Sequence, residues 1–204
     1  VRYWYASPAD RAAQDAANAA AAAQADRTLA EAWQSRRAYP LVVTQGDGNL
    51  GVKGKNFEML FSIAGAGPAS LKVNGTEWLW RAPRPAFWRA STDNDRGCGF
   101  PLRAAAWMAA DVFVTYNGMK VLEAGPDCVK VQFQFGIPTV PGASAELVYT
   151  VEAQGALRVD AVYHGVAGAP ELPCFGVKFE TFGPVTRTVW TGLSGETYPD
   201  RYKG

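Results

Sequence analysis

The sequence predicts an all-β chain, an antiparallel sandwich preceded by an alanine-rich arm. Three observations carry that expectation. From Tyr39 onward, short apolar runs recur roughly 8–12 residues apart, broken by glycine, proline and asparagine. Asn-Gly pairs stand between such runs, and a two-residue hairpin turn favours that pair because both central residues need positive φ. Hydrophobic residues alternate with a period of two, with almost no helical pattern between the runs.

At the N-terminal end, SPADRAAQDAANAAAAAQADRTLAEAW begins with Ser7 as an N-cap, Pro8 at the first helical position and Asp10 three residues after the cap. Alanine carries helical propensity through residue 25, but its small side chain offers a thin apolar face. Residues 1–38 are therefore read as a helical or partly ordered arm with the end of a preceding domain. Residues 39–204 are read as the β domain.

Within that domain LVVTQ, GVKGKNFEMLFS and ASLKVNGTEWLW are the first strands. Asn74-Gly75 predicts a type I′ hairpin, and Asn117-Gly118, inside DVFVTYNGMKVLEA, predicts another turn. In DCVKVQFQFGI, Val129, Val131, Phe133 and Phe135 share one face. SAELVYTVEAQGALRVDAVYHGV reads as a hairpin turning at Gln154-Gly155, and CFGVKFETF alternates again. FPLRAAAWMAADV, residues 100–112, interrupts the strands as a short helical turn.

Composition narrows the function. Hydrophobic residues make up 48% and aromatics 12%, enough for a packed core. A net charge of +1, with no basic run, gives no footprint for nucleic acid. No stretch has the apolar length of a membrane span, and VRYWYASPAD lacks the pattern of a signal peptide, so a cytoplasmic location is expected. Cys98, Cys128 and Cys174 are odd in number and without a CxxC, which favours free thiols over zinc or a disulfide framework. His164 is the one histidine and has no evident partner in the sequence.

The densest polar stretch is RASTDNDRGCG, residues 89–99. Asp93 and Asp95 begin like a calcium loop, but the sixth position is Cys98 and the twelfth is Ala104, where an EF-hand needs glycine and glutamate. A glycosidase pair would need one carboxyl in an apolar pocket, which nothing nearby suggests. No metal site is expected. A second cluster, WTGLSGETYPDRYKG, is a turn-rich loop with aromatic sides.

FWRASTDNDRG and, further on, VWTGLSGETYPDR together resemble the C-terminal domain of the large β-galactosidases of glycoside hydrolase family 2. That family has WRAPTDNDxG-like and GLGPxExYPDR-like segments. AEAWQ and NFEMLFSIAGAGPASLKVNGTEWL add to the likeness, while Ser91 and Ser194-Gly195 depart from it. The resemblance implies a galactose-mutarotase-like β-supersandwich, truncated at its C-terminus. It also implies a parent enzyme that hydrolyses terminal β-galactosides with retention through two glutamates in a TIM barrel, to which nothing here is similar. This chain alone is thus expected to be non-catalytic.

Residue by residue, Asp93, Asn94, Asp95 and Gly97 match the family's mobile loop at the active-site rim, with Gly97 as its hinge and the other three shaping the turn. Trp88, Trp107 and Trp190 are the candidates for stacking on sugar. The implied partners are β-galactoside sugars, the remaining domains of the enzyme and a second copy meeting exposed sheet edges. Mg2+ and a monovalent cation are implied for the parent enzyme, with no cofactor in this chain. The alternative is an independent sugar-binding sandwich or a mutarotase-like epimerase, for which only His164 offers a base.

Overall fold

The computed structural model describes residues 38–183, together with Ala16, Ala20, Gln24, Arg27 and Glu31 of the arm. Those five positions are helical and exposed, with Arg27 donating to Gln24 Oε1 at 3.0 Å. The compact unit that holds the sheets runs Ala38–Pro184.

Its fold is antiparallel throughout. One sheet has five strands: β1 (Val42–Gln45), β2 (Asn49–Lys53), β3 (Phe57–Ser62), β4 (Gly67–Val73) and β5 (Thr76–Glu77). The other has four: β7 (Thr115–Ala124), β8 (Cys128–Gly136), β9 (Ser144–Glu152) and β10 (Leu157–His164), in the order β10-β9-β8-β7. β6 (Leu79–Ala86) pairs with β11 (Gly176–Thr181) in a two-stranded ribbon. Pro83 and Pro85 lie in β6, where two-strand pairing tolerates missing N–H donors.

The period-two pattern decides the core. Leu50, Val52, Met59 and Phe61 of the first sheet, and Val129, Val131, Phe133, Leu147, Tyr149 and Val151 of the second, are all at most 3% exposed. They meet face to face, with the Phe61 ring 6.2 Å from Phe133 and 5.9 Å from Tyr149. An all-β sandwich is the result.

The predicted hairpin at Asn74-Gly75 forms: φ is 51° and 80° there, and Val73 pairs with Thr76. Gly155, at φ 87°, turns β9 into β10. Asn117-Gly118, by contrast, makes no turn. β7 runs straight through it, and the pairing with β8 slips between Tyr116 and Gly118, a bulge that absorbs the extra residue. A hairpin there would need a strand upstream, and residues 105–113 are helical instead. β11 does not alternate as expected, because the ribbon leaves both its faces partly exposed.

Three helices lie between β6 and β7: α1 (Asp93–Gly97), α2 (Phe100–Arg103) and α3 (Ala105–Phe113). The predicted helical turn at 100–112 is thus two consecutive helices.

Candidate functional site

The polar stretch at 89–99 is built outward from a buried anchor. Phe87 is 0% exposed, and its ring sits 5.7 Å from Trp107, 6.3 Å from Tyr163 and 5.8 Å from Phe175. Its backbone N–H donates to Asp111 Oδ1 at 2.6 Å. This box holds the end of β6, so the chain leaves the core from a fixed point.

Beyond that point residues 93–97 form a one-turn helix, not a loop. Thr92 is its N-cap: Thr92 Oγ1 accepts from the Asp95 N–H at 3.2 Å, and the Thr92 N–H donates to Asp95 Oδ2 at 2.8 Å. That reciprocal pair is a capping box, with aspartate at the third helical position. Arg89 then forks onto the same carboxylate, with Nη1 to Oδ2 at 2.5 Å and Nη2 to Oδ1 at 3.1 Å. Two-point arginine–carboxylate pairing restrains angle as well as distance. These bonds hold the Asp95 carboxyl well below the usual carboxylate range, the Arg89 hydrogen bonds first and the Thr92 N–H second.

Asp93 and Asn94 face water instead. The Asp93 side chain is 97% exposed and pairs with Arg96 at 2.8 Å. Arg96 also donates to the Ser91 carbonyl at 3.0 Å. Gly97 is exposed, and an added Cβ would meet nothing within 4 Å. The left-handed backbone falls two residues later, at Gly99 with φ 69°, where α2 begins. Arg103 Nη1 closes the segment by donating to the Cys98 carbonyl.

The tryptophans separate. Trp107 is 0% exposed and donates Nε1–H to the Pro170 carbonyl at 3.0 Å, so it has no face for a sugar; it is a core residue. Trp88 is half-buried against the core. Trp190 lies outside the described residues, as does the GETYPDR segment. Among the described residues the exposed indoles are Trp78 and Trp80, at 51% and 58%, which alternation alone does not single out.

His164 does have a partner. Its Nε2 lies 3.3 Å from Glu146 Oε1, whose other oxygen accepts from Gln132 Nε2 at 2.6 Å. The register that puts β9 between β8 and β10 creates this contact, and no local signal announces it. The sequence also gives no sign that Arg89 pairs with Asp95; the T-x-x-D spacing of Thr92 and Asp95 is the signal that could have found the capping half of the latch.

All three cysteines are free thiols. Among the described residues no three His, Cys, Asp or Glu side chains come together to hold a metal, and no helix is long and apolar enough to cross a membrane.

Fold and site together define a β-sandwich domain that presents an anchored, arginine-latched surface turn. The sequence pattern of the family described as "Beta galactosidase small chain" matches residues 53–204. The chain belongs to that family. It is 44% identical over 183 residues to a "Beta-galactosidase small subunit" of Latilactobacillus sakei, covering 80% of this chain and 58% of that protein. It is 36% identical over 163 residues to a "Beta-galactosidase" of Clostridium acetobutylicum, covering 79% of this chain and 18% of that one. A "Beta-galactosidase" of Lactobacillus delbrueckii subsp. bulgaricus is 36% identical over 185 residues, 87% of this chain and 18% of the relative. The chain thus spans little more than half of the small subunit and under a fifth of the two longer relatives.

Proposed function

We propose that this chain is the non-catalytic small-chain portion of a β-galactosidase of glycoside hydrolase family 2, and that its sheets are part of a β-supersandwich. In this reading the turn at 92–97 forms part of the active-site rim, and the other chain or domains of the enzyme supply the reacting carboxylates. The observation that carries it is the latched DND turn within a chain of this family.

The chemistry of the turn supports the assignment. A glycosidase acid needs a raised pKa. Asp95 is pushed the other way by Arg89, and both its oxygens are engaged. It shapes the turn and transfers no proton. Asp93 and Asn94, facing water, are the groups left to meet a sugar or a neighbouring domain. The Mg2+ and monovalent cation belong, in this reading, to the parent enzyme.

Hydrolysis of a chromogenic β-galactoside tests it, with the chain alone and mixed with a β-galactosidase large subunit, beside titration with galactose and lactose. The expected result is no turnover alone and activity on mixing. Turnover by the isolated chain would sink the proposal.

The pairing of His164 with Glu146 favours one second reading, a sugar epimerase, since proton transfer at an anomeric hydroxyl uses such a pair. Faster mutarotation of α-D-galactose that is abolished by His164→Ala would select it.

A further inference from the structure

Residues 100–113 contain two charged side chains, Arg103 and Asp111. Both are engaged inside the domain, Arg103 on the Cys98 carbonyl and Asp111 on the Phe87 N–H. The apolar residues point two ways. Phe100, Ala104, Trp107 and Ala110 are at most 8% exposed and face the core. Leu102, Met108, Val112 and Phe113 are 85%, 53%, 70% and 62% exposed.

An ordinary surface helix has one apolar stripe and one polar face, whereas a helix apolar on both sides is a buried one. Together the four exposed side chains leave on the order of 500 Å² of apolar surface in water, as much as the largest patch on a typical single protein, which is often functional. Val112 and Phe113 are also weak helix formers, so local propensity does not explain them.

We infer that the outward face of α2 and α3 docks against the catalytic large chain of the enzyme. The inference rests on the small-chain reading above and names the surface that reading needs. α1, α2 and α3 succeed one another without a strand between them, and Arg103 of α2 donates to the Cys98 carbonyl at the end of α1, so the helices that carry the apolar side chains adjoin the rim turn. A chain that brings its reacting groups to that turn covers the adjoining helices. Asp93 and Arg96, exposed at the α1 end, supply a polar margin to an apolar centre, the usual anatomy of a protein interface. A second copy of this chain would cover the patch without bringing any catalytic group to the turn.

The test uses the full chain and the large subunit of the Latilactobacillus sakei enzyme. Met108→Glu with Val112→Glu should weaken binding at least about 100-fold, as expected for charges placed at an interface centre. Val42→Glu, on the outer face of the five-stranded sheet, should leave binding unchanged. All of these positions are exposed, so folding should survive. Of the three methionines Met59 is buried and Met119 half-buried, so peroxide oxidation read at the Met108 peptide by mass spectrometry probes this face, and the complex should protect it. Unchanged affinity in the double variant, together with Met108 of the wild-type chain oxidised as fast in the complex as in the free chain, would overturn the surface and leave the small-chain reading standing. Self-association lost in the double variant would assign the face to a second copy instead. Failure of the wild-type chain to bind or activate the large subunit would remove the reading, and the inference with it.

Discussion

The β8–β9 pair and the α2–α3 run solve the burial problem in opposite ways. In β8 and β9 every second residue is spent on the core, and the positions between them are mostly polar, among them Lys130, Gln132, Gln134 and Glu146, with Val148 half-buried. Nearly all the apolar surface of that pair is used up within the domain. In α3, Trp107 is 0% exposed while the next residue, Met108, is 53% exposed, and Val112 and Phe113 are barely covered. The sheet is complete with one neighbour; the helical run has chemistry for two. A region apolar on two sides is therefore a better guide to a partner than a region that is merely apolar.

The comparison breaks first at its buried end. Phe133→Ala and Trp107→Ala should each cost about 3–5 kcal/mol, read from urea midpoints, because both leave cavities in packed aromatic clusters. Trp107→Ala also leaves the Pro170 carbonyl without its donor. A loss under about 1 kcal/mol at Trp107 would mean that the inner face of α3 is not core.

The latch should show itself through pH. The folded-state pKa of Asp95 is depressed, so its contribution to stability is present above the unfolded value near about 4 and is lost as pH falls further. Asp95→Asn should be less stable than wild type at pH 7, with the gap closing in acid. An equal gap at pH 7 and pH 3 would show that the Arg89 fork does not hold the turn.

The smallest effect is expected one residue from the largest. Met108→Ala should change the stability of the isolated chain by no more than about 0.5 kcal/mol, since the side chain is half exposed. A cost near that of Trp107→Ala would mean that this domain already covers the outer face, which would erase the contrast between sheet and helix.

How much of this is legible in the chain depends on the range of the interactions. The hairpins at Asn74-Gly75 and Gln154-Gly155 are readable because turn chemistry is local. The same dipeptide at Asn117-Gly118 misleads because a bulge and a turn use similar residues, and only the partner strand distinguishes them. Of the candidate site, the motif is visible in the chain but the latch is not. The Thr92–Asp95 box is a local pattern, whereas the choice of Asp95 over Asp93 as the partner of Arg89 is made by the fold.

By itself the sequence determined the strand class, the inward residues of β8, two hairpins and a motif that points to one enzyme family. All of these rest on side-chain period or on short-range backbone preference, which a linear chain displays directly. Tertiary structure alone decided that Trp107 is core, that Asp95 is held while Asp93 is not, that His164 meets Glu146 across neighbouring strands, and that one helix face is left uncovered. Those outcomes depend on which distant segments are brought side by side, and burial and pairing are properties of that arrangement rather than of any residue within it.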